Sequence, residues 1–382
     1  MVLAVVLVSD QTVPNAVYLK NLKEFGGGFD RVLFISTERM EKNNKSQIIA
    51  KAVGINEYDP IIVNENMLFS VKSKLENYFA NNSFERVRVN ITGGTKIMSL
   101  GAYQFFFGKN FVEDIVYLPI GSNAYKQIYP MGNDGKAVDI SIRYKMNVRE
   151  YLDAIGAEVD KIKEPVDVKL SNEMFDKFFN GYEEIINELT HILRNFRKHQ
   201  RHKKFYSQSN EEIVKDRERI YQLLGRLGLD YNNYDFKKRD WVDFFSGGWL
   251  EEYVYDVVSE LKNEGVVDDV IINVKFKRKS EDAEFPNEFD VVAIKDNNLY
   301  VFECKSGNVG RELTDVFYKV AYLNREMGLA ARSFLVYLGD DIYKDGKINS
   351  KVEARKKVFG VGLIDRKAVE NSLKDNLKKI WK

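Results

Sequence analysis

The chain has 382 residues, with 58 lysines and arginines against 57 aspartates and glutamates, 44% hydrophobic residues and one cysteine. That length and apolar content suit two or three domains with filled cores, and the balanced charge excludes a global basic field, so any nucleic-acid affinity must come from local patches. A single cysteine excludes a disulfide framework and a cysteine-based zinc site and fits a reducing cytoplasm.

The opening run MVLAVVLV stops at Ser9-Asp10 with no basic start and no cleavage signature, so it predicts a buried strand and not a signal peptide. No segment approaches the roughly 18 apolar residues of a membrane span. Over the first 145 residues strand and helix patterns alternate. LAVVLVS (3–9) precedes a helical stretch opened by Pro14 and broken at Gly26–Gly28; RVLFIST (31–37) precedes a helix near 41–53. IIV (61–63) precedes a helix over 66–80, and VRVNIT (87–92) leads through GGTK into a helix over 96–108. DIVYLPI (114–120), YKQIYPM and AVDISIRY close the series. Continuous apolar strands alternating with helices predict a parallel sheet covered on both faces.

Three polar loops fall at C-terminal strand ends, where open α/β sheets bind ligands. They are VSDQTVPN (8–15), ISTERMEK (35–42) and NITGGTKIM (90–98). In the third, two glycines allow backbone N–H groups to approach an anion at a helix N-terminus, Lys96 adds charge, and Thr92 and Thr95 add hydroxyls. The spacing is neither a Walker A loop nor G-x-G-x-x-G. Alone, the glycine pair reads first as an ordinary tight strand–helix turn; the convergence of three loops points to a phosphate-bearing nucleotide.

Residues 146–238 change character. Apolar residues at 174, 178, 182, 185, 189, 192 and 196 form a nearly heptad stripe that Ser171 can cap. This predicts a helical connector whose stripe is a packing or dimer seam. The connector holds all three histidines of the chain: His199 and His202 in its basic end, RNFRKHQRHKK, and His191 just before it. That basic end reads as a solvated helix end with a charge that suits contact with nucleic acid.

From Trp241 the order is helix (GGWLEEYVYDVVSELKNEG), three strands, helix (ELTDVFYKVAYLNREMG), strand. In LYVFECK, Glu303 and Lys305 share one face of a strand and Cys304 takes the other. The turn KDNN folds the preceding strand beside it, which brings Asp290 to the same end of the sheet. Clustered carboxylates repel unless neutralised, and a divalent cation with oxygen ligands does this. A neighbouring lysine can hold or activate a water, and metal plus activated water is what in-line attack on a phosphodiester requires. Glu251 on the upstream helix is a further ligand candidate, whereas Glu252 points elsewhere. An isolated E-x-K is ordinarily a surface ion pair; the aspartate and the helix acid set this one apart.

The stretch GGWLEEYV…NEFDVVAIKDNNLYVFECKSG resembles the PD-(D/E)XK nuclease superfamily over residues 240–382, with Phe289 where that motif often has proline. The resemblance implies Asp290, Glu303 and Lys305 as the catalytic triad, Glu251 as the helix acid, and Mg²⁺ or Mn²⁺ on Asp290, Glu303 and Glu251. Residues 1–145 are similar to CARF domains, most specifically at NITGGTKIMSLGAYQFF. Together these imply an N-terminal Rossmann-like CARF domain (1–145), a helical connector (146–238) and a restriction-endonuclease-like domain (239–382). The family implies a cytoplasmic C2 homodimer in type III CRISPR defence, switched on by a cyclic oligoadenylate, cyclic tetra-adenylate by preference, and cutting DNA or RNA. Ser9, Asp10, Gln11, Thr12, Ser36, Thr37, Thr92, Gly93, Gly94, Thr95 and Lys96 are then ligand candidates. CARF domains also occur with metal-independent HEPN ribonucleases (R-x4–6-H, matched by Arg194/His199 and Arg197/His202) and with DNA-binding regulators; these are the alternatives.

Overall fold

The computed structural model describes residues 1–201, 210–236, 238–279 and 284–381. The first part runs β1 (Val2–Leu7), α1 (Val13–Phe25), β2 (Arg31–Ser36), α2 (Glu38–Lys42), α3 (Lys45–Val53), β3 (Tyr58–Ile62), α4 (Leu68–Asn81), β4 (Arg86–Asn90), α5 (Lys96–Phe106), β5 (Val112–Tyr117), β6 (Ala124–Tyr129) and β7 (Val138–Ser141). Strand order is β3-β2-β1-β4-β5-β6-β7, with the first five parallel and the last two antiparallel. β1 sits at the centre because it is the most apolar strand: Leu3 to Leu7 are all fully buried. Its two faces feed two separate cores, Ala4 and Val6 on one side and Leu3, Val5 and Leu7 on the other. The helix expected near 41–53 is divided, because Asn44 takes a left-handed backbone (φ 53°) between α2 and α3.

The rest runs α6 (Val148–Ala154), β8 (Ala157–Ile162), α7 (Val168–Lys177), α8 (Glu183–Arg201), α9 (Asn210–Arg226), α10 (Arg239–Asp243), α11 (Trp249–Asn263), β9 (Asp269–Lys279), β10 (Glu284–Lys295), β11 (Asn298–Lys305), α12 (Leu313–Met327), β12 (Arg332–Tyr337), the short hairpin β13 (Tyr343–Lys344) and β14 (Lys347–Ile348), α13 (Ser350–Phe359), β15 (Gly362–Asp365) and α14 (Arg366–Ile380). Its main sheet has the order β15-β12-β11-β10-β9-β8. The β10–β11 turn uses Asp296 (φ 50°) and Asn297 (φ 60°), both left-handed, as a tight two-residue hairpin demands.

Three expectations are corrected. The connector is not purely helical: β8 pairs antiparallel with β9 and is an edge strand of the second sheet. The cap of α7 is Asp167, whose Oδ1 accepts from Leu170 N at 2.9 Å, while Ser171 is buried inside the helix and bonds back to Val168 O at 2.7 Å. The apolar stripe is no dimer seam. Met174, Phe178 and Leu189 are sealed in one core with Trp249, Leu250 and Phe302 of the same chain, and Ile185 and Ile192 pack against it. His202, and the side chains of Phe196, Arg197 and His199, lie outside the described residues. Among the described residues no helix is long and apolar enough to cross a membrane.

Candidate active site and sensing cavity

β10 and β11 pair in antiparallel register with Val291 opposite Phe302, so one step further Asp290 faces Glu303. Asp290 Oδ2 accepts from Cys304 N at 2.8 Å, which locks the carboxylate onto the neighbouring strand. Lys305 Nζ lies 2.7 Å from Glu303 Oε1 and 3.9 Å from Asp290 Oδ2. It also donates to Cys304 O at 3.0 Å. Glu251 lines the same cleft from α11. Glu252 borders the cleft as well, but its carboxylate is buried and committed to backbone: it accepts from Val166 N (2.7 Å) and Asp167 N (2.9 Å), pinning α11 to the start of α7.

The sequence did not single out Lys319. It projects from α12 and donates to both oxygens of Glu303 at 2.9 Å. No local spacing announces it, since it reaches the site from sixteen residues downstream through the packing of α12.

The electrostatics follow from this arrangement. Burial, and then the charge of Asp290, push the Glu251 carboxyl well up; burial and the charge of Glu303 push Asp290 up to about 6. Burial also works against the charge on Glu303, but Lys305 and Lys319 outweigh it and hold that carboxyl below its ordinary range. Lys305 is held firmly as the ammonium, since Asp290 and Glu303 overcome its burial. Cys304 is buried beside the acids and its thiol is pushed up, so it stays neutral. The cleft has a volume of about 980 Å³, and its lining carries nine carboxylate side chains against six of lysine and arginine. Its far wall is α8 with His191, Arg194 and Asn195.

Asp290, Glu303 and Glu251 are oxygen donors of the type Mg²⁺ and Mn²⁺ prefer, and their mutual repulsion is what a cation relieves. Among the described residues, no three His, Cys, Asp or Glu side chains already close into a metal cage. The donor set fits a cation once Lys319, whose side chain is 48% exposed, leaves Glu303.

The second cavity, about 460 Å³, opens at the C-terminal ends of β1, β2, β4 and β5. Ser9, Asp10, Gln11, Thr37, Thr92, Gly93, Gly94 and Thr95 line it. Thr12, Ser36 and Lys96 do not. Thr12 is buried and bonds to Ala154 O; Ser36 is buried and bonds to Glu41 Oε1 at 2.5 Å; Lys96 stands exposed on the first turn of α5. Arg39, overlooked in the loop ISTERMEK, lines the wall and pairs with Asp10 at 2.8 Å. The glycine pair has a packing reason of its own. A Cβ on Gly93 would lie 1.9 Å from Leu7 O, and Gly94 has φ +71°. Thr92 is also committed internally, donating to Asn90 Oδ1 and accepting from Leu118 N at 2.9 Å.

Comparison with known proteins places both halves. Residues 3–151 match the family described as Card1 CARF domain, and residues 238–377 match the family described as Card1-like, endonuclease domain. The fold is shared with protein VC1899 from Vibrio cholerae (20% identity, TM-score 0.75, covering 100% of this chain and 98% of that one). It is shared equally with Can2 from Sulfobacillus thermosulfidooxidans, solved in complex with cyclic tetra-adenylate (18% identity, TM-score 0.73, 100% of both chains). A type III CRISPR defence DNA nuclease activated by cyclic oligoadenylate is similar at 17% identity and TM-score 0.50 over 93% of this chain and 51% of that one. No curated protein matches the sequence. With its sensing and cutting halves both matched, the chain belongs to the Card1-type family of nucleases, a CARF domain joined to a Card1-like endonuclease domain.

Proposed function

We propose that the protein is a metal-dependent PD-(D/E)XK endonuclease of type III CRISPR defence, activated by a cyclic oligoadenylate bound at its CARF domain. The observation that carries the reading is the meeting of Asp290, Glu303 and Lys305 on adjoining strands at the floor of a cleft. That cleft holds more carboxylates than cations, so a polyanion enters it favourably only with divalent cations to offset the repulsion. Asp290 and Glu303 would hold Mg²⁺ or Mn²⁺, with Glu251 completing the shell. The metal supplies Lewis-acid stabilisation of the phosphoryl oxygens and a water of lowered pKa. Lys305, held charged, is no general base; it would orient the attacking water and offer an N–H to the charge developing on the phosphoryl oxygens. Asp290 keeps its orientation through Cys304 N.

The cavity above β1, β2 and β4 suits an adenine nucleotide: Arg39 and the loop amides meet phosphate, and Met98, Pro119 and Ile120 offer apolar surface for a base. Cyclic tetra-adenylate is the first choice, as in Can2. A ring with rotational symmetry is gripped by two copies about a two-fold axis, which supports a C2 homodimer. Met67 and Phe69 at the start of α4, and Leu100 on the adjoining α5, are exposed apolar side chains suited to that interface. The substrate is DNA, RNA or both. The deciding experiment incubates the protein with a panel of cyclic oligoadenylates, Mg²⁺ or Mn²⁺, and labelled RNA, single-stranded DNA and duplex DNA. Cutting that needs both activator and metal is expected; cutting that persists in excess EDTA overturns the reading.

A further inference from the structure

The sensing cavity is not made by the CARF domain alone. Asp296, Asn297 and Asn298 at the β10–β11 turn, and Leu329 and Ala330 after α12, form part of its lining. Both segments are tied to the CARF half. Asn123 Nδ2 donates to Asp296 Oδ1 at 3.1 Å. Asn297, buried, accepts from Met146 N at 2.8 Å and donates to Tyr144 O at 2.9 Å. Tyr151 OH donates to Met327 O at 2.8 Å, and Gln11 Oε1 accepts from Leu329 N at 3.0 Å.

Resting on the activator reading above, we propose that the nuclease domain supplies one wall of the nucleotide site, and that α12 carries the arrival of the ligand to Glu303. The Leu329 amide is the natural point of contact. It is now held by the neutral oxygen of Gln11, and a phosphate oxygen is the stronger acceptor. A phosphate seated beside Ser9–Gln11 takes that amide and draws the end of α12 toward the cavity. α12 is a single fifteen-residue helix, so a shift at its C-terminus moves Lys319 two turns upstream. Lys319 is the cation that covers both oxygens of Glu303. Its withdrawal exposes Glu303 to a divalent cation, while Lys305 remains in place from the same strand. Lys319 is thus a positioning residue: it governs when Glu303 is open, and the ligand biases the two arrangements by contacting only one of them well.

The experiment uses the full chain and two variants. Leu329 is 68% exposed, so Leu329→Glu puts an anion on the nuclease-domain wall without disturbing a core. Calorimetry with cyclic tetra-adenylate should show at least about tenfold weaker binding than wild type at unchanged thermal stability. Unchanged affinity overturns the shared wall. Mn²⁺ binding is then titrated by electron paramagnetic resonance, without substrate, with and without activator. The wild-type protein should bind Mn²⁺ at least about fivefold more tightly when the activator is present. Lys319→Met should bind it tightly from the start, and the activator should add nothing. An activator-dependent tightening of the same size in Lys319→Met and wild type overturns the route through α12. A wild-type protein that binds no cyclic oligoadenylate at all refutes the activator reading instead, and this inference with it.

Discussion

Asp290 shows how the site trades stability for chemistry. Its carboxyl is pushed up to about 6 from the ordinary 3.8 by burial and by Glu303, so the folded state binds this proton more readily than the unfolded chain. Stability from this group is therefore present at low pH and lost as pH rises from about 4 through about 6. Asp290→Asn should stabilise the metal-free protein above pH 6 by on the order of 1–3 kcal/mol, read as a higher melting temperature, and leave it unchanged near pH 4. The same variant should abolish cutting; a thermal scan at the two pH values, paired with a cleavage assay, checks both halves. Lys305→Met should lower cutting by about two orders of magnitude or more with activator binding intact, since its ammonium sits in the cleft and not in the sensing cavity. In the second cavity Arg39 is the cation among the lining residues. Arg39→Ala should weaken cyclic tetra-adenylate binding by about tenfold or more, and Lys96→Ala by much less, because Lys96 does not line the cavity. Equal losses by calorimetry would assign the phosphate to the α5 N-terminus instead.

At the scale of elements, the loop between β4 and α5 does two jobs at once. Its glycines bring backbone amides to the cavity, and they also let the loop pass over Leu7 at the end of β1. Gly93→Ala places a Cβ 1.9 Å from a backbone carbonyl that belongs to the central strand and cannot give way cheaply. It should destabilise the CARF half by about 1–3 kcal/mol, read as a lower denaturant midpoint with or without ligand. An unchanged midpoint would mean that the loop relaxes freely and is shaped for ligand only. The β10–β11 hairpin is the complementary case: one end carries the Asp290–Glu303 pair and the other reaches the CARF half through Asn297.

For the whole molecule, the connector is structural cement and not a swivel. Its stripe closes the core of the nuclease half, and β8 extends the nuclease sheet. Dimerisation is therefore expected through the CARF half, where Met67, Phe69 and Leu100 are exposed. Sedimentation should give one dimeric species with and without cyclic tetra-adenylate, and nuclease activity should rise without a change of mass. Phe69→Glu should yield a monomer with weakened activator binding; a dimer that survives this change would move the interface elsewhere.

What the sequence determined by itself was whatever depends on short-range order. Continuous apolar strands alternating with helices required the covered parallel sheet of β1 to β5, though not the antiparallel addition of β6 and β7. The period-2 geometry of LYVFECK put Glu303 and Lys305 on one face, and the KDNN turn supplied the hairpin that carries Asp290 back beside them. Only the tertiary structure decided which partners arrive from a distance. Lys319 reaches Glu303 because α12 packs beside β11, and no spacing rule encodes that approach. The stripe from Met174 could have faced a second copy or its own domain, since a helical period records that a face is buried and not against what. Likewise Ser36 and Thr12 look like ligand groups in a loop, yet backbone and carboxylate acceptors close by already take their hydroxyls. Most buried hydroxyls take a partner, and which one is nearest is settled only when the chain has folded.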